Sequence, residues 1–128
     1  MGPRTAKLSS FFLRVWSPLF IWIVLIFIGS LTKENRLDIL RIPEGTDKLV
    51  HFFTFFILAL LIGRTLLLKG KTFDCIVLGF WLVLVPFLYG LFIEFCQIFI
   101  ATRSFSGLDI LANLGGTATA LFVYQWLK

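Results

Sequence analysis

Eight polar residues stand out in a chain that is otherwise mostly apolar: Asp47, Lys48, His51, Glu94, Gln97, Arg103, Asp109 and Asn113. Asp47 and His51 are spaced i,i+4, Glu94 and Gln97 i,i+3, and Asp109 and Asn113 i,i+4. Each pair therefore shares one face of a helix. Together they offer an amine, a guanidinium, an imidazole, carboxylates and amides. As a binding set, Lys48, His51 and Arg103 suit phosphate or carboxylate, while Glu94, Gln97, Asp109 and Asn113 orient hydroxyl or amino groups. As a catalytic set, His51 and Glu94 are the candidate acid and base, and Arg103 would stabilise developing negative charge. No activated nucleophile accompanies them. Ser104 and Ser106 occur in no nucleophile motif, so water or a substrate hydroxyl would have to attack. His51, Glu94 and Asp109 are also metal-ligand types, but Lys48 and Arg103 oppose a cation and no short-spaced His or Cys pair is present. Neither a metal nor a cofactor is expected. Proton transport through Glu94 lacks a polar path in the other half of the chain's apolar runs.

The elements that must position these residues follow from composition. The chain has 128 residues, enough for a single domain, 1–128. It is 59 % hydrophobic and 15 % charged, with sixteen Phe and four Trp, against about 45–50 % and about 25 % in an average soluble domain. So small a chain has no core large enough to hide that apolar surface. This excludes a soluble enzyme, a disordered chain and a disulfide scaffold, and leaves an all-α integral membrane protein. The net charge of +5 sits in short segments between apolar runs, as beside anionic lipid heads, and no basic-aromatic pattern points to nucleic acid. Cys75 and Cys96 lie in or beside one apolar run and read as small buried hydrophobes.

Four apolar runs predict helices over about 15–31, 49–68, 73–101 and 108–127. Each approaches the roughly 20 residues that cross a hydrocarbon core, where only internally bonded helices satisfy the backbone. Residues 1–14 form a basic tail, and Pro18 is placed in the first turn of the first helix, where its missing N–H costs little. A signal peptide is the rival reading of this end, but no A-x-A-like site follows the run. Pro43–Gly45 and Lys69–Lys71 read as turns. Pro86 and Gly90 predict a kink or tilt in the third helix. The expected architecture is a four-helix transmembrane bundle with up-down topology. It gathers the eight polar residues at one end. Seven basic residues lie on the side of the termini (Arg4, Lys7, Arg14, Arg64, Lys69, Lys71 and Lys128). Five lie on the other (Lys33, Arg36, Arg41, Lys48 and Arg103). The positive-inside rule then puts both termini in the cytoplasm and the polar end outside.

The same residues have plainer uses. Asp109 fits a capping box with Ser106. Asp47 and Lys48 suit solvated interfacial charges, and His51 can snorkel to the headgroups. Arg103 suits a counter-ion for Glu94, and Glu94 with Gln97 suits a buried adhesive network. Gly115-Gly116-x-Ala118 suits a close helix-packing surface. Glu94 resists the plain reading most, because a charge inside a bilayer costs about 2.5–3.5 kcal/mol on insertion scales.

The segments DKLVHFFTFFILALLIGR (Asp47–Arg64) and YGLFIEFCQIFIATRSFSGLDILANLGGTATAL (Tyr89–Leu121) resemble the VanZ-like family. The family's D-K-x-x-H, E-x-x-Q and R-x-x-x-x-x-D-x-x-x-N-x-x-G elements fall on Asp47, Lys48, His51, Glu94, Gln97, Arg103, Asp109, Asn113 and Gly116. Many members carry a proline shortly before the arginine; this chain reads Ala101-Thr102-Arg103. The resemblance implies a multi-pass protein of the bacterial cytoplasmic membrane. It also implies a context of cell-envelope function and antibiotic resistance, the family's name-giving member being associated with low-level teicoplanin resistance. The expected partners are membrane lipids, a lipoglycopeptide or a lipid-linked cell-wall precursor. The first functional expectation is binding of such a headgroup by Asp47, Lys48, His51, Glu94, Gln97, Arg103, Asp109 and Asn113. The alternative is a membrane hydrolase or transferase acting on a lipid-linked substrate through His51 and Glu94.

Overall fold

The computed structural model describes residues 3–31, 45–70, 73–100 and 105–127, with side chains from Ser10 onward. These residues form four helices: α1 (Pro3–Leu31), α2 (Thr46–Leu68), α3 (Cys75–Ile98) and α4 (Gly107–Trp126). Helix α3 is continuous but contains a π-helical segment, Phe80–Leu84, between α-helical Cys75–Gly79 and Val85–Ile98. The Val85 N–H bonds to the Phe80 carbonyl, the i→i−5 pattern of a π turn. Pro86 follows at once and has no N–H to return to the turn before it. The irregularity expected from Pro86 therefore takes the form of a widened turn. Gly90 has another task, described below.

Polar contacts between helices establish the directions. Trp22 Nε1 donates to the Thr54 carbonyl (3.1 Å) and Thr65 lies against Val15, so α1 and α2 are antiparallel. Tyr89 Oη donates to the Ile23 carbonyl (2.7 Å) and Gln97 Nε2 to the Ser30 carbonyl (2.8 Å), so α1 and α3 run together. Helices α2 and α4 also run together and form the most extensive contact of the bundle. The topology is up-down-up-down. Its core is built on Phe55, Leu58, Ala59, Leu82, Ile93 and Ala120.

Helix α2 approaches α4 at Gly116. A Cβ there would lie 2.1 Å from the Phe52 carbonyl oxygen and 2.9 Å from the Phe56 nitrogen. Backbone meets backbone at this point, as small residues permit in membrane bundles. The buried small residues of this face are Gly116, Thr117 and Ala120, whereas Ala118, expected at the packing surface, is exposed. Three or four residues per turn select the face, and position 118 falls outside it.

The outside of the bundle is apolar: Phe20 is 67 % exposed, Phe99 76 % and Phe122 70 %. Among the described residues three helices, Ser10–Leu31, Thr46–Leu68 and Cys75–Ile98, are long and apolar enough to cross a membrane. Lipid is the solvent that such a surface suits, and the chain is a membrane protein. Helix α4 has similar length but includes Asp109, Asn113 and several Gly and Thr residues. It is the more polar helix because it contributes these side chains to the bundle's interior.

Several expectations about local structure need correction. The basic tail is helical from Pro3. The first-turn proline is Pro3, at the first helical position, and Pro18 is interior. Arg, Ala, Lys and Leu in the tail are good helix formers and extend the run backwards. Thr65 places its hydroxyl 3.4 Å from the Val15 carbonyl and 2.9 Å from that of Leu61. It thus brings a donor beside the turn that Pro18 weakens, as Ser and Thr do in membrane helices. Helix α2 begins three residues before the expected start, so Asp47 and Lys48 are helical. Cys75 is exposed at the start of α3, where Gln125 Nε2 reaches its Sγ (2.9 Å), and Cys96 is half-buried. Position at a bundle end, not residue type, decides their exposure.

Candidate functional site

The start of α2 is shaped by Gly45, whose φ of 90° is left-handed and favours glycine. Its carbonyl accepts from the Lys48 N–H (3.1 Å), closing the first turn. Asp47, Lys48 and His51 thereby lie in the first two turns of α2. The parallel start of α4 lies beside them. Lys48 Nζ pairs with Asp47 Oδ2 and stands 2.8 Å from Asp109 Oδ1. His51 links the helices again: Nδ1 is 3.1 Å from Asn113 Oδ1, and Nε2 is 3.6 Å from Asp109 Oδ2. Oδ1 of the amide only accepts, so Nδ1 donates in this orientation. The Nε2 contact is an ion pair when the ring holds its second proton.

Gly90 makes room for this arrangement. A Cβ on Gly90 would stand 3.0 Å from Asn113 Nδ2 and 3.2 Å from the Phe55 ring. A methyl group there would push Asn113 off His51 or displace Phe55. No titratable character marks Gly90 in the sequence. Its contribution is visible only when α3 and α4 are side by side.

The capping box at α4 is split between two helices. Ser106 is the N-cap, and its Oγ accepts from the Asp109 N–H at 3.4 Å. In the usual box the third helical residue would return its carboxylate to the N-cap N–H. Here Glu94 of α3 does so: the Ser106 N–H donates to Glu94 Oε2 at 3.2 Å. Asp109 is thereby free to face Lys48 and His51. Sequence spacing identified the Ser106–Asp109 relation but not the exchange of acids.

Glu94 is 1 % exposed, and its Oε1 has no hydrogen-bond partner among the described residues. Asp109 Oδ1 is also without a directed hydrogen bond, although Lys48 Nζ is close enough for an ion pair. A buried carboxylate oxygen left unpaired is expensive. Arg103, the expected counter-ion of Glu94, lies outside the described residues, as do Ser104 and the turn residues Pro43, Glu44 and Lys71.

Gln97 does not join the cluster. Although 2 % exposed, it turns to α1 and ties down the Ser30 carbonyl at 2.8 Å. Glu94 and Gln97 are three residues apart, about 60° around the helix axis, so they face different neighbours. The structure brings together Asp47, Lys48, His51, Asp109 and Asn113. It places Glu94 against the backbone at the start of α4 and Gln97 at the end of α1.

Both nitrogens of His51 face side chains of α4, Asn113 and Asp109. Among the described residues no three His, Cys, Asp or Glu side chains converge as metal ligands, because Glu94 turns to Ser106 while His51 and Asp109 face each other. The described cluster is richer in carboxylate acceptors than in cations.

A family model described as VanZ/LLP1 matches residues 5–128, nearly the full chain. No curated protein and no solved structure matches the chain.

Proposed function

The chain belongs to the VanZ/LLP1 family, and from that premise we propose that it is a bacterial cell-envelope protein whose polar bundle end binds a lipid or cell-wall-precursor headgroup. The observation that carries the reading is the network of Lys48, His51, Asp109 and Asn113 between two parallel helix starts. Ionisable groups in membrane helices are retained where they face a polar pathway or partner. The start of a helix adds donors for the acidic part of a headgroup, and the carboxylates accept from its hydroxyl or amino groups. In this reading both termini are cytoplasmic and the polar end is external. The link to teicoplanin resistance is part of the same proposal, through a shared requirement for lipid-linked envelope chemistry.

The test is lipid retention by the purified full chain. Native mass spectrometry after exchange into detergent would compare phosphatidylethanolamine, phosphatidylglycerol and a lipid-linked cell-wall precursor. Asn113→Ala removes the amide that holds His51 and lowers retention of the preferred lipid about tenfold, equivalent to about 1.4 kcal/mol. Unchanged retention by a folded Asn113→Ala protein, for all three lipids, overturns the reading.

A further inference from the structure

An open groove of about 380 Å³ runs along α3 where the π-helical segment meets α4. Ile76, Gly79, Phe80, Val83, Phe87 and Leu114 line it, with no polar side chain among the lining residues. Two features make it. Gly79 contributes no side chain, and an added Cβ there would meet nothing within 4 Å. The widened turn beside it interrupts the regular 3.6-residue register with which neighbouring side chains would otherwise fill the gap.

One end of the groove lies close to the polar end along both helices. On α4 it ends at Leu114, next in sequence to Asn113, which holds His51. On α3 it ends at Phe87, one turn before Gly90, over which the Asn113 amide sits. From Phe87 to Ile76 is eleven residues, or roughly 16 Å at 1.5 Å per residue. The α3 lining of the groove therefore covers that length, away from the polar cluster, within a membrane-spanning helix.

We propose that this groove holds the hydrocarbon chain of the lipid whose headgroup occupies the polar end. The inference rests on the headgroup reading and adds to it a ligand that stays embedded in the membrane. The chemistry of the occupant is given by position. The lining is apolar, its α3 residues lie within the span Cys75–Ile98, and its near end, Leu114, is one residue along α4 from Asn113. A lipid has its polar and apolar parts in that order. A soluble glycopeptide or sugar would leave the groove unfilled.

The experiment uses the full chain in nanodiscs containing phosphatidylethanolamine with a photoactivatable diazirine in the middle of one chain. After illumination, labelled peptides are mapped by mass spectrometry. Label is expected to be several-fold higher on Phe80, Val83, Phe87 and Leu114 than on Phe92 and Phe122, which are 52 % and 70 % exposed and outside the groove. Gly79→Phe fills the groove from a position with free space and should cut this excess at least fivefold. Val83→Trp fills it one turn nearer the polar end and should do the same. Labelling spread evenly around the bundle overturns the proposal, and that measurement needs no variant. Undiminished groove labelling in folded Gly79→Phe and Val83→Trp proteins also overturns it. If Asn113→Ala abolishes lipid retention while both groove variants retain lipid normally, the groove inference fails and the headgroup reading stands. If all three retain lipid normally, both fail.

Discussion

Replacing Gly116 by Ala puts a methyl group 2.1 Å from the Phe52 carbonyl oxygen and 2.9 Å from the Phe56 nitrogen. Both atoms belong to helix backbone, so no side-chain rotation relieves the contact. Ordinary contact begins near 3.4 Å, and α2 and α4 must therefore part by about 1.3 Å at this level. The His51–Asn113 contact, 3.1 Å long, lies nearby and would lengthen beyond hydrogen-bond range if the helices separated as rigid bodies. Overpacking of this kind costs about 1–3 kcal/mol, and a lost hydrogen bond about 0.5–1.5 kcal/mol. Alanine's better helix propensity returns up to about 1 kcal/mol. The expected net destabilisation is about 1–3 kcal/mol. Chemical unfolding in detergent, followed by circular dichroism, measures it against two controls. Gly115→Ala meets only the Phe52 ring at 3.4 Å, and Gly79→Ala meets nothing within 4 Å. Both controls should equal or exceed the wild type. Gly116→Ala unfolding at the wild-type denaturant concentration with its lipid retention intact would refute the argument that backbone contact at Gly116 assembles the polar end.

Other outcomes follow from the same contacts. Glu94→Gln keeps an oxygen that accepts from the Ser106 N–H, so stability should fall by no more than about 1 kcal/mol while headgroup retention drops. Normal retention by the folded variant would argue against a charged role for Glu94. Gln97→Leu strands the Ser30 carbonyl and should cost about 1–3 kcal/mol, measured by thermal unfolding, with retention unchanged at a temperature where the variant is folded. A cysteine added after Lys128 should resist membrane-impermeant thiol reagents in intact cells, with Cys75 and Cys96 replaced by Ala for the assay; ready labelling would place the polar end on the cytoplasmic side.

The composition and run lengths of this chain were sufficient to reveal a membrane protein made of helices. Lipid offers the backbone no hydrogen-bond partners, so apolar runs of this length have little choice of conformation. Periodicity likewise showed which side chains share a face, and short connections implied the up-down order that brings Lys48, His51, Asp109 and Asn113 to one end. What periodicity does not contain is the identity of the neighbour on each face. That Glu94 rather than Asp109 completes the cap of α4 depends on α3 ending beside Ser106. That Gln97 leaves the cluster for Ser30 depends on α1 occupying the adjacent face. Gly90 and Gly116 have no functional group to announce them. Their roles arise from the absence of a Cβ, which matters only where Asn113 and the backbone of α2 come within contact distance. Local sequence determined the helices because their bonding is local; tertiary structure decided the partners because helix packing is set by shape over residues distant in the chain.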